Sequence, residues 1–165
     1  MSILFLDKVN AANMTGSEVH KLHLIRNLTA LGEKCIVPLK DVGSLDVPGV
    51  QSFKLAGGSV CQAIALARMT ARREVDVLYT RNHQVGVLGL WLKRLFGKHL
   101  VYEVNGILGD EERMLGGSMD ARVRKRVEED MRVARGADAL IAVNQRIAEY
   151  YLENGIDGDK VYVVE

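Results

Sequence analysis

Short apolar runs alternate with longer stretches of helical periodicity along the whole chain. The runs are ILFL (3–6), CIVPL (35–39), VQSF (50–53), DVLYT (76–80), HLVYEV (99–104), ALIAV (139–143) and VYVV (161–164). Continuous rather than alternating apolar runs belong to strands covered on both faces, as in a parallel sheet under helices. Between the first two, residues 17–31 place Val19, Leu22, Ile25 and Leu28 at helical spacing, with Gly32 as a stop. Further helices are predicted over 59–73, 85–96, 119–135 and 145–154, the last ending in an Asn-Gly cap signal. The alternation predicts an α/β fold: a Rossmann-like, doubly wound, mainly parallel sheet of six or seven strands with helices on both faces. Pro38 suits a strand end or an edge, because it cannot donate to a central ladder.

At 165 residues, 48% hydrophobic and 26% charged, the chain reads as one ordinary globular domain. A domain of that size buries roughly 70% of the surface its unfolded chain would expose. With 22 basic against 21 acidic residues and few aromatics, nothing points to nucleic acid. No run approaches the roughly 18 apolar residues of a membrane span, and MSILFLDK lacks the basic and apolar regions of a secretory signal. Cys35 and Cys61 have no metal-ligand spacing and read as buried reduced thiols, which favours a cytoplasmic setting.

In an open parallel sheet, ligands bind beyond the carboxyl ends of the strands. After the first run come Asp7, Asn10, Asn13, Thr15, Gly16 and Ser17; after the fourth, Arg81, Asn82 and His83; at the end of the fifth, Glu103, Asn105 and Gly106. The opposite ends show no comparable cluster. In MTGSE the first amides of a helix face an anion, and Gly16 lets the backbone approach it; alternatively Thr15 or Ser17 caps the helix and Glu18 complements its dipole. Neither G-x-G-x-x-G nor G-x-x-x-x-G-K-[ST] is present, which argues against dinucleotide and NTPase sites.

Other patterns read as ordinary surface chemistry. His20 and His23 lie three apart without a further ligand, and Asp157 and Asp159 fall in a turn, so no metal is expected. Glu103 and Glu111 stand at E-x7-E spacing by coincidence, one on a strand and one in a loop. ARVRKRVEED pairs Arg124 with Glu128, Lys125 with Glu129 and Arg126 with Asp130 on a solvated helix face. A receiver-like signalling domain would need strand-end aspartates beside Asp7 in the middle of the sheet, and there are none.

The segments TGSEVHKLHLIRNLTALGEKCIV, DVLYTRN, HLVYEVNGILGDEE and ADALIAVNQRIAEYYLENGIDGDKVYVV, in that order and spacing, resemble the N-terminal domain of GT-B glycosyltransferases of the group 1, or family 4, class. The resemblance spans nearly the whole chain. It implies that 1–165 is a single acceptor-side domain, with a C-terminal donor-binding domain lying outside this sequence, either on a longer chain or on a partner subunit. It further implies retaining transfer from a nucleotide diphosphate sugar to a hydroxyl of a glycan or lipid-linked acceptor, with no cofactor, no metal and, for a lipid-linked acceptor, a weak peripheral contact with an anionic membrane through the basic helix face. Gly16 matches the family's loop glycine, so Thr15, Gly16 and Ser17 are placed near the donor diphosphate. Arg81, Asn82, His83, Glu103 and Asn105 are placed on the acceptor side, with Glu103 and Asn105 the candidates for catalysis. Asn105 falls where many members carry a cleft histidine, so that chemistry does not transfer; Thr15 and Glu33 also depart from the family's usual Gly and His. The rival reading is a non-catalytic interaction module or the acceptor-presenting subunit of a split transferase.

Overall fold

The structure, a computed structural model, describes residues 1–10, 15–40, 45–55, 57–114 and 120–164, with 111–113 described in backbone only. Asn13, the expected helix start at Met119 and the side chain of Glu111 therefore lie outside the described residues. In chain order the elements are β1 (Ser2–Phe5), α1 (Gly16–Ala30), β2 (Lys34–Leu39), β3 (Val50–Lys54), α2 (Ser59–Thr70), β4 (Val77–Thr80), α3 (His83–Phe96), β5 (His99–Val104), α4 (Leu108–Met114), α5 (Ala121–Gly136), β6 (Ala139–Ala142), α6 (Gln145–Glu153) and β7 (Val161–Val163). A 3-10 turn, Gly158–Lys160, precedes β7. All seven expected strands form, in an α/β, Rossmann-like arrangement. Helix α4 was not legible in the sequence: LGDEERM is too short and polar to show a periodicity.

The chain divides into two compact units, Met1–Tyr79 with Arg94–Lys98, and Thr80–Lys93 with His99–Glu165. In the first unit the strands run in the order β3-β2-β1-β4, and their described pairings are parallel. The direction of winding reverses between β1 and β4, which is where a doubly wound sheet opens a crevice. Every residue of β1 and β4 is buried, so continuous apolar runs rather than alternation were the right signal. Phe5 and Tyr79 pack with ring centroids 4.9 Å apart. Pro38 lies in a strand flanked on both sides, but beyond the last β1–β2 register pair, Leu4 with Ile36, so β1 loses no ladder bond to it. Its carbonyl accepts from Val9 N at 2.8 Å. Helix α1 stops where expected: Gly32 takes φ +85 and Glu33 N returns to Leu28 O at 3.1 Å.

The second unit runs β5-β6-β7, also parallel. Leu100, Leu140, Ala142, Val133, Ala134 and Tyr151 are fully enclosed there. Helix α5 starts because Asp120 Oδ1 accepts from Val123 N at 2.8 Å, and α6 because Asn144 Oδ1 accepts from Ile147 N at 3.0 Å. Gly155, at φ +79, closes α6 as the Asn-Gly signal predicted.

The amino ends of the strands carry two separate acids, each used by the sheet itself. Asp76 Oδ2 accepts from Ser2 N and Asp138 Oδ2 from Leu100 N, each at 2.8 Å. Each acid precedes a strand and caps the first amides of another. Both are tied to the sheet's own backbone, which is a structural use.

Candidate functional site

In the first unit, the segment leaving β1 is tied to the start of α1. Thr15 is the N-cap, its Oγ1 accepting from Glu18 N at 3.4 Å. Glu18 reaches back, Oε2 accepting from Asn10 N at 2.9 Å, while Oε1 meets Lys21 Nζ at 2.5 Å. Lys21 is buried, and its ammonium also donates to Lys8 O at 2.9 Å. A buried lysine is costly unless paired, and this one is satisfied by a carboxylate and a carbonyl. Gly16 and Ser17 stay exposed, and a Cβ built on Gly16 would meet nothing within 4 Å among the described residues. The capping expectation for this loop is met by Thr15, and packing among the described residues gives no steric reason for glycine at 16. His20 and His23 are exposed on the same helix.

The second unit assembles the other expected residues. Arg81 follows β4, Glu103 sits in β5, and Asn105 follows it. Arg81 Nε lies 2.8 Å from Glu103 Oε1, and Arg81 Nη2 donates to Asn105 Oδ1 at 2.6 Å. Glu103 is 3% exposed, whereas Asn105 is exposed. One guanidinium thus spans a buried carboxylate and a surface amide, using the fixed fork of donors that arginine presents. Thr80 Oγ1 bonds the backbone of Asn82 at 3.2 Å, and Asn82 Oδ1 accepts from Gln84 N at 2.8 Å and Val85 N at 3.4 Å. Asn82 therefore caps α3 and moves the helix start two residues ahead of the Val85 predicted.

His83 turns inward. It is 8% exposed, and its Nε2 is buried with no hydrogen-bond partner among the described residues. Burial lowers its pKa; the charges that bear on it, Asp130, Arg126 and Glu129, all belong to α5. Asp130, 4% exposed, accepts from Tyr102 OH at 2.5 Å and from Tyr151 OH at 2.6 Å. Burial raises its pKa, and the two tyrosine hydroxyls and His83 offset part of that rise. The sequence reading placed Asp130 on the solvated face with Arg126; it is instead a buried acceptor. The signal was present, since Val123, Asp130, Met131 and Ala134 share the apolar stripe of α5. Lys125 and Glu129 do face each other, at 3.9 Å.

Two smaller expectations also resolve. Cys35 is buried, but Cys61 is exposed near the start of α2, so only one thiol belongs to the core. Asp157 Oδ1 accepts from Asp159 N at 3.1 Å and caps the 3-10 turn. The strand ends thus bring together Arg81, Glu103 and Asn105 as one bonded group; Asn82 serves a helix, and His83 packs toward α5.

The glycosyl transferase 4-like domain pattern matches residues 15–165. The chain belongs to that family. Its fold is that of the Anabaena protein HepE, solved with UDP and glucose: TM-score 0.70 and 20% identity over 99% of this chain and 44% of HepE. Sucrose-phosphate synthase from Thermosynechococcus elongatus gives TM-score 0.71 at 13% identity, over 99% of this chain and 47% of the synthase. A glycosyltransferase from Rickettsia africae gives 0.62 at 19%, over 99% and 42%. The chain spans less than half the length of each of these structures. No curated protein matches it by sequence.

Proposed function

We propose that the glycosyl transferase 4-like chain forms the acceptor-side wall of a retaining glycosyltransferase, which moves a sugar from a nucleotide diphosphate sugar to an acceptor hydroxyl of a glycan or a lipid-linked substrate. The observation that carries this reading is the bonded Arg81–Glu103–Asn105 group at the carboxyl end of β5, in a member of this family. HepE, of like fold, was solved with UDP-glucose. A nucleotide diphosphate sugar is the corresponding donor here, held mainly by a second domain on a longer chain or a partner subunit.

Gly16 and Ser17, opening α1 with exposed backbone, suit the leaving diphosphate, because a helix start offers amides without intrahelical partners. Thr15 holds that start in place. Donors aimed at the departing phosphates supply the main electrostatic contribution in such chemistry, and exclusion of water strengthens them. On this reading Asn82 and His83 serve the acceptor side indirectly, by capping and anchoring the start of α3. The reading requires no metal ion and no cofactor. No described helix is long and apolar enough to cross a membrane. The proposal takes the reaction to be cytoplasmic, with at most a weak peripheral membrane contact.

The test is nucleoside diphosphate release by the full-length protein across UDP-, GDP- and ADP-sugars, with the anomeric configuration of the product read by NMR. Retained configuration with one donor class is expected, together with no turnover by residues 1–165 alone. Turnover by 1–165 alone would sink the half-site reading.

A second reading, an interaction subunit of a split transferase, draws on the exposed apolar margin of Leu152, Tyr162, Val163 and Val164 in the second unit. It predicts co-purification with a donor-domain subunit encoded separately.

A further inference from the structure

We propose that Asn105 donates a hydrogen bond from its amide nitrogen to a substrate hydroxyl oxygen, and that Arg81 is the positioning residue that fixes that polarity. The inference rests on the glycosyltransferase reading and goes further, to which group acts and how. An asparagine side chain can turn either its oxygen or its nitrogen toward a neighbour, and the two are nearly isosteric. A guanidinium has donors and no acceptor. With Arg81 Nη2 at 2.6 Å, only Oδ1 can occupy the near side, and Nδ2 is left on the far side of an exposed residue. Turning the amide over would set two donors against each other.

The guanidinium is itself held. Glu103, two positions before Asn105 and within β5, lies 2.8 Å from Arg81 Nε and is 3% exposed. That carboxylate neutralises the arginine and is withdrawn from solvent, so it is poorly placed to take a proton from an acceptor hydroxyl. The chain Glu103–Arg81–Asn105 thus converts a buried negative charge into an oriented surface donor. The oxygen it meets belongs either to the acceptor or to the transferred sugar.

The test uses the full-length enzyme, with kcat and both KM values measured for native protein, Asn105→Asp, Asn105→Ala, Arg81→Lys and the double variant Asn105→Asp with Arg81→Lys. Asn105→Asp keeps shape and pairs with Arg81 but has no donor. We expect kcat/KM to fall roughly 10- to 100-fold, with Tm unchanged or raised. A rise in acceptor KM assigns the oxygen to the acceptor, and a rise in sugar-nucleotide KM assigns it to the donor sugar; either supports the inference. Arg81→Lys alone should lower kcat/KM, and should add little on top of Asn105→Asp, since it acts through the same amide. Native turnover with Asn105→Asp within twofold of it, a loss that tracks a fall in Tm, or fully additive variants would each overturn the inference and leave the glycosyltransferase reading intact. A native enzyme that turns over no nucleotide sugar would remove that reading, and this inference with it.

Discussion

His83 begins helix α3 but is withdrawn from water, and the proton it lacks has a measurable consequence. Burial lowers its pKa; Asp130 and Glu129 pull the other way and Arg126 reinforces the fall. The unfolded chain therefore takes up this proton at higher pH than the folded one. The stability involved is fully present above the ordinary histidine value of about 6.5 and is lost as pH falls from there through the folded value. Asp130 has the opposite sign: burial raises its pKa, so the folded state holds a proton that the unfolded state has released, and stability falls as pH rises through that window. Urea unfolding at pH 7 and pH 5 should therefore show a smaller loss for His83→Asn than for native protein. Equal losses would show that folding does not lower the His83 pKa. At this scale the sequence placed Arg81 after β4 and Glu103 and Asn105 at the end of β5, but gave no sign of the bonds between them. Arg81 and Asn105 are 24 positions apart, and no local pattern sets a 2.6 Å contact between them.

Among the elements, α3 and α5 are joined by close steric fits. A Cβ at Gly86 would lie 2.7 Å from Val133 Cγ1 and 3.0 Å from Cγ2, whereas one at Gly136 would meet Leu90 Cδ2 at 2.5 Å. Valine is stiff at χ1 and cannot withdraw, while the tip of a leucine can swing to another rotamer. Overpacking costs about 1–3 kcal/mol, and replacing glycine by alanine inside a helix returns up to about 1 kcal/mol. Gly86→Ala should thus destabilise the protein by about 1–2 kcal/mol in chemical unfolding and Gly136→Ala by clearly less. The reverse order would mean that α5 shifts to make room. Helix and strand positions were largely legible, because apolar run length and periodicity are local properties. Helix starts were less so: α3 begins at His83 because the Asn82 side chain caps it, a bond that a polar loop residue makes or declines according to its surroundings.

For the molecule as a whole, the two thiols report on integrity. Burial pushes the Cys35 thiol up to about 11, with Glu33 adding to the rise, and the residue is 0% exposed in β2. Cys61 is exposed on α2. An aromatic disulfide reagent at pH 8 should release about one equivalent promptly, with the second appearing only as the protein unfolds, because a buried, protonated thiol is not a nucleophile. Two prompt equivalents would show that β2 opens without global unfolding. The sequence by itself determined the order of strands and helices, the parallel α/β class and which strand ends would be polar. These follow from hydrophobic periodicity and turn chemistry, which act between residues a few positions apart. Only the tertiary structure decided that Asp130 is a buried acceptor for two tyrosines, that Glu103 pairs with Arg81, and that Asn105 turns its Oδ1 to the same guanidinium. Each of those depends on which groups lose water together when distant segments pack, and desolvation is set by the folded neighbourhood rather than by the residue.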